Sequence, residues 1–320
     1  MPTDDVLPLL IALFGLVAVG QLLRLTGALP PTAPDTLARV ILQVTMPALI
    51  VVILADARFE LALIPAVLAC TIALFSAVAL GVLWMRMRGA ARPTQGAAGV
   101  VSAFANTAFL GVPFVLAVYP GSRGAATAAV IIDTVDTTIL LLTFGVAFAG
   151  AMAKPRSPVQ TPLGPRLRGA LASLLRQPMI VAVLVGLALA ISGVALPTAL
   201  ARPLTQVGQT TAVLAFLTIG LGLDLRSLRG QTVPLAGIAA IKLLIAPAIA
   251  CLVLLALDVR GDVARTAVLQ AAMPTAVVSA IIATNAGCDG QLAAAASVVT
   301  TLLSLATLPL ILACLQAIGL

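Results

Sequence analysis

Histidine is absent from the 320 residues. The commonest metal ligand and the usual switch near neutral pH are therefore missing. Charged residues make up only 9% and aromatic residues 3%. The four cysteines form no framework: Cys70, Cys251 and Cys314 lie inside apolar runs and Cys288 stands alone in a short loop. No Walker loop occurs, which excludes direct drive by ATP, and Gly121-Ser122-Arg123-Gly124 is a turn rather than a phosphate cradle. With no enzyme motif present, the chain is read as a non-enzyme that needs no cofactor, save a coupling H⁺ or Na⁺. The net charge of +7 comes from loop residues, not from a basic domain, so nucleic acid is not an expected partner.

What is abundant is apolar. Hydrophobic residues are 61% of the chain and mean hydropathy is +1.18, beyond what a water-soluble domain can cover. The expected class is an all-α polytopic membrane protein, with the lipid bilayer as its surroundings. Asp4 and Asp5 precede the first apolar run where a secretory signal calls for basic residues, so that run is expected to be a retained helix. Ten spans are expected, at 6–25, 36–55, 61–85, 96–119, 124–150, 171–192, 202–222, 232–257, 263–286 and 290–317. Residues 151–169 carry Pro155, Pro158, Pro162 and Pro165 and read as a linker.

Orientation follows from the basic residues. One side collects Arg24, Arg39, Arg86, Arg88, Arg92, Lys154, Arg156, Arg166, Arg168, Arg176, Arg226 and Arg229. The other has Arg58, Arg123, Arg202, Arg260 and Arg265. The expectation is an inner-membrane protein with both termini outside and the linker cytoplasmic.

The two halves echo each other. At an offset of 166 residues Gly20 aligns with Gly186, Thr26 with Ser192, Gly27 with Gly193, Pro31 with Pro197, Gly121 with Gly287 and Gly124 with Gly290. Residues 1–150 and 170–320 are therefore expected to be two five-helix repeats. Five crossings are an odd number, so the second copy is inverted, as in many secondary transporters.

Span 4 is interrupted by Asn106, Thr107, Gly111 and Pro113. A mid-membrane amide needs partners, and Pro113 opposes a regular helix, so a break is expected between Asn106 and Pro113. Broken backbone at that depth must be buried in protein or line a cavity. The offset places Pro274, Thr275 and Ser279 of span 9 at the equivalent point. Spans 4 and 9 are expected to cross as two halves of a substrate site; two ordinary Pro kinks are the alternative. Thr45 and Pro47 interrupt span 2, either opening carbonyls toward the crossing or simply packing. Asp133 and Asp136 share a face of span 5, and Lys242 lies in the middle of span 8. Acids at such depth mark ion or proton pathways, unless each only bonds a neighbouring helix. Lys242 is expected to balance an aspartate, or to meet an anionic substrate or a departing proton. The offset pairs these three charges with Val299, Leu302 and Ser76, so they break the internal symmetry.

Asn106-Thr107-Ala108-Phe109-Leu110-Gly111-Val112-Pro113 resembles the signature of the auxin efflux carrier family, bacterial branch. Thr45-Met46-Pro47, Met273-Pro274, Ser297-Val298-Val299-Thr300-Thr301-Leu302-Leu303-Ser304 and Thr307-Leu308-Pro309 are similar to further stretches of that family. The resemblance implies ten helices in two inverted repeats, with scaffold spans 1, 2, 6 and 7 and transport spans 3–5 and 8–10. It implies elevator-like alternating access for a small organic anion, often as a homodimer. It would place Asn106 on the substrate carboxylate, with helix N-termini beside Gly111–Pro113 and Pro274–Thr275 facing it. Two departures stand out: the central loop is short, and span 3 offers Thr71 and Ser76 where plant members carry a charged pair. A small carboxylate such as malate or malonate is therefore expected before auxin. The rivals are a sodium-coupled importer or cation/proton antiporter of similar architecture, and a membrane sensor or scaffold that binds without transport.

Overall fold

A computed structural model describes residues 3–57, 60–153, 176–223 and 232–320. The linker from residue 154 onward lies outside the described residues. So do Asp224 and the basic residues Arg58, Lys154, Arg156, Arg166, Arg168, Arg226 and Arg229.

The described chain is helical, in twelve segments. They are α1 (Thr3–Leu25), α2 (Ala33–Ala55), α3 (Leu63–Met87), α4 (Arg92–Ala103), α5 (Thr107–Val118), α6 (Arg123–Met152), α7 (Pro178–Ser192), α8 (Thr198–Gly222), α9 (Val233–Ala256), α10 (Asp262–Ala272), α11 (Val277–Ala286) and α12 (Gly290–Ala317). Six of these, α2, α3, α6, α8, α9 and α12, are long and apolar enough to cross a membrane. Four of the shorter ones arise because the chain breaks twice. At 1.5 Å per residue, α4, α5, α10 and α11 each reach only about half of a ~30 Å hydrocarbon core.

Polarity runs inside out for a soluble protein. Asp133, Asp136 and Lys242 are buried, while Leu25, Ile64, Ile191 and Leu252 face outward. Such a distribution suits lipid rather than water.

The helices fall into two compact units. The first comprises Met1–Glu60, Ala108–Val130 and Ser173–Leu223. In it α1 packs on α8, and α7 packs on α2. Both contacts depend on missing side chains. A Cβ on Gly220 would collide with the Val17 carbonyl, and one on Gly20 with the Leu217 carbonyl. A Cβ on Gly186 would lie 2.6 Å from that of Leu54. Small residues let membrane helices approach in this way. The second unit comprises Leu61–Thr107, Ile131–Ala172 and Asp224–Leu320. There α3 packs on α4 and α9, α10 packs on both α3 and α9, and α11 packs on α12. Trp84, near the end of α3, lies in a notch at Gly237, where its Nε1–H donates to the Pro234 carbonyl at 3.4 Å.

Proline shapes the long helices more subtly than by a kink. Five-residue π turns occupy Ile41–Thr45, Thr107–Gly111 and Ile241–Ile245. Each ends two residues before a proline: Pro47, Pro113 and Pro247. A proline lacks the N–H that closes a turn, and its ring presses on the carbonyl four residues back. A wider turn relieves that pressure: the Met46 N–H reaches the Ile41 carbonyl, and the Ala246 N–H reaches that of Ile241. Two further π turns, Asp133–Ile139 and Leu141–Gly145, lie in α6.

Candidate functional site

Within the second unit the two chain breaks meet. Helix α4 ends at Ala103, and Phe104 turns to an extended conformation. Helix α10 ends at Ala272, followed by extended Met273 and Ala276. Proline at 274 accounts for this, since it disfavours a helical residue before it and cannot close the next turn. Ala105 and Thr275 then pair as an antiparallel bridge. The Asn106 N–H donates to the Pro274 carbonyl at 2.7 Å, and the Ala276 N–H to the Phe104 carbonyl at 3.0 Å. Main-chain groups freed by the breaks satisfy one another, as buried backbone must.

The break expected in span 4 falls at residues 104–106, ahead of the place expected from Pro113. Helix α5 resumes at Thr107, and Gly111 and Pro113 lie inside it, Gly111 closing the π turn that makes room for the proline ring. The helix start therefore lies at Thr107, not beside Gly111–Pro113.

Thr275 is wholly buried and fully engaged. Its N–H donates to Thr300 Oγ1 at 3.1 Å, and its hydroxyl donates to the Val101 carbonyl at 2.7 Å. The Ser279 hydroxyl donates to the Ala276 carbonyl at 2.6 Å. Asn106 differs: it is 8% exposed, and its side-chain amide makes no hydrogen bond among the described residues. Thr45 and Pro47 stand on α2 of the first unit. Of the twelve expected site residues, the second unit thus gathers Asn106, Thr107, Pro274 and Thr275 at the bridge, with Ser279 near the start of α11.

The three charges also belong to this unit. Asp133 and Asp136 ride on the first π turn of α6, and Lys242 on that of α9. Their exposures are 1%, 6% and 1%. Asp133 Oδ1 accepts from the Thr107 hydroxyl at 2.6 Å, and the Thr137 hydroxyl is shared between Thr107 Oγ1 and the Ala105 carbonyl. Asp133 therefore holds the crossover strand. Asp136 Oδ1 accepts from the Thr71 hydroxyl at 2.8 Å. The Lys242 ammonium donates to the Ala271 carbonyl at 2.9 Å, one of the carbonyls that α10 leaves unpaired at its C-terminus. Asp136 and Lys242 feel each other's charge, yet no ion pair within 4.0 Å joins them. Both line a cavity of about 20 Å³, together with Cys70, Thr107 and Gln270. That volume admits about one water and excludes a dicarboxylate.

Sequence reasoning did not single out Thr137, Thr300 or Gln270, and it read Thr71 only as a departure from plant relatives. Thr137 follows Asp133 by one helical turn, which is a usable signal. Thr300 and Gln270 become visible only once α12 and α10 are packed. Among the described residues no group of His, Cys, Asp or Glu could hold a metal ion.

A family model described as membrane transport protein matches residues 5–162 and 166–312. A protein of Methanothermobacter thermautotrophicus described as an uncharacterized transporter is 30% identical over 319 residues, covering 96% of each chain.

Proposed function

Because the chain belongs to the membrane transport protein family, that of the auxin efflux carriers, we propose that it is a secondary active transporter of a small organic anion. The anion is a carboxylate of the malate or malonate kind. The observation that carries the proposal is the Ala105–Thr275 bridge, which sets the unbonded Asn106 amide beside the starts of α5 and α11. An amide N–H₂ and two helix N-termini offer donors and positive dipole ends to a carboxylate. Half-helices meeting in this way are how transporters build sites at the membrane midplane.

In this proposal the chain crosses the membrane ten times as two inverted repeats, with α4–α5 and α10–α11 each completing one span. Offset-paired features support it. Gly27 and Gly193 share a positive φ, as do Gly121 and Gly287, and the α1–α8 contact is mirrored by that of α7 on α2. In the first unit α1, α2, α7 and α8 would serve as scaffold, and that unit also takes in most of α5 and the start of α6, through Ala108–Val130. The second would carry the crossover in elevator-like alternating access, with the protein a homodimer in the cell membrane, termini outside and linker inside. The small cavity fits such a cycle only if the crossover opens to load.

The test is the melting temperature of the purified protein against mono- and dicarboxylates, at acid and neutral pH, with and without sodium. A ligand that binds only the folded form raises it by mass action. A carboxylate-specific rise that is lost in Asn106→Ala supports the proposal. A response to sodium or pH alone, indifferent to every carboxylate and to Asn106, moves the assignment to the cation-transport rival.

A further inference from the structure

We propose that the Lys242 ammonium is a built-in cation for Asp136, standing where a coupling sodium ion would otherwise sit, so that this site exchanges protons and rejects sodium. The inference rests on the transport reading above and names its coupling ion. It follows from four placements. The ammonium and the carboxylate line the same one-water cavity without touching. The ammonium is anchored on the Ala271 carbonyl, at the negative end of α10. The carboxylate is anchored on the Thr71 hydroxyl. The π turn before Pro247 sets the register of Lys242 on α9.

The π turn of Lys242 is packed by α3, α4, α10 and α12, of which α4 and α12 place no ionisable group in the cavity. Asp133 is on the same helix as Asp136 and is held by Thr107; Cys70 is on α3, Gln270 on α10 and Lys242 on α9. Lys242 is the cation among them. A sodium ion placed on Asp136 would share the cavity with the ammonium, and two cations confined to the space of about one water repel strongly. A water there instead accepts from Lys242 and donates to Asp136, with polar partners enough to hold it. The exchanged species is then one proton. An N–H bond breaks at Lys242 Nζ as an O–H bond forms on the water, which passes a proton of its own to the Asp136 carboxylate; that carboxyl O–H then gives its proton to bulk water on one side of the membrane, and uptake of a proton from the other side by the Lys242 amine restores both charges. No oxidant or co-reactant takes part.

The experiment uses the full chain in detergent, with no carboxylate present. Melting temperature is read in sodium chloride against choline chloride at equal ionic strength. Wild type is expected to ignore the exchange. Lys242→Ala is expected to gain a sodium-specific rise of several degrees, because a cation now fits beside Asp136. That rise is expected to vanish in Asp136→Asn/Lys242→Ala. A sodium response in wild type overturns the proposal, and so does a Lys242→Ala protein that is indifferent to sodium. If Lys242→Ala does not fold, the double variant decides. Recovery of folded protein shows that the charges answer each other, and failure to recover overturns it. Asn106 is untouched throughout, so this outcome and the carboxylate outcome stand or fall separately.

Discussion

At the scale of single residues, the sequence marks the charges and hides their partners. Three ionisable groups in long apolar runs stand out because lipid-facing positions do not tolerate them. Threonine is common in such helices, and nothing in the chain distinguishes Thr71 from a packing residue until helices are set side by side. The consequence is measurable at Thr107. Removing its hydroxyl leaves a buried carboxylate short of a donor. Neutral interhelical bonds in membranes average ~0.6 kcal/mol, and bonds to charged groups run about 1.5–3 kcal/mol. Thr107→Val is therefore expected to lower stability by about 1–2 kcal/mol, read from the denaturation midpoint. Valine keeps the shape of threonine, so a neutral result would show that Asp133 does not depend on this bond.

At the scale of elements, interruption was legible and its form was not. Mid-span prolines announced irregular helices, yet the ring is accommodated by a π turn upstream of Pro47, Pro113 and Pro247 rather than by a break. The true break at 104–106 contains no proline. It owes its place to the partner strand, where Pro274 forces an extended run and the Phe104 carbonyl is claimed by Ala276. Periodicity along one chain cannot register a bond to a residue in the other half of the sequence. One variant tests the π turns. Pro247→Leu restores a donor and removes the ring. It is expected to let α9 run regularly and to swing Lys242 by about 100°, one helical residue. The ammonium then leaves the Ala271 carbonyl, so the variant should lose about as much thermal stability as Lys242→Ala. Full stability would show that the turn is held by other contacts.

At the scale of the molecule, apolar runs located the helices to within a few residues at most ends. What they did not reveal is that the compact units interleave along the chain, each drawing on both halves of the sequence. That arrangement depends on notches. Glycine at 220 meets the Val17 main chain with no room for a side chain. Gly220→Val is expected to separate α1 from α8 and to abolish the monodisperse peak in detergent chromatography. Gly222→Val, two residues away with open space around it, is expected to keep that peak. Equal behaviour of the two would place the α1–α8 contact outside what stabilises the first unit.

The bridge between Ala105 and Thr275 is made entirely of main-chain atoms, so none of its rungs depends on the side chain at position 106. Exchange of the Asn106 side chain leaves its N–H on the Pro274 carbonyl; only an imino acid at 106 or 276 deletes a rung. Under the proposed transport reading a lineage can revise its diet one side chain at a time, because the frame that presents position 106 is indifferent to the letter written there.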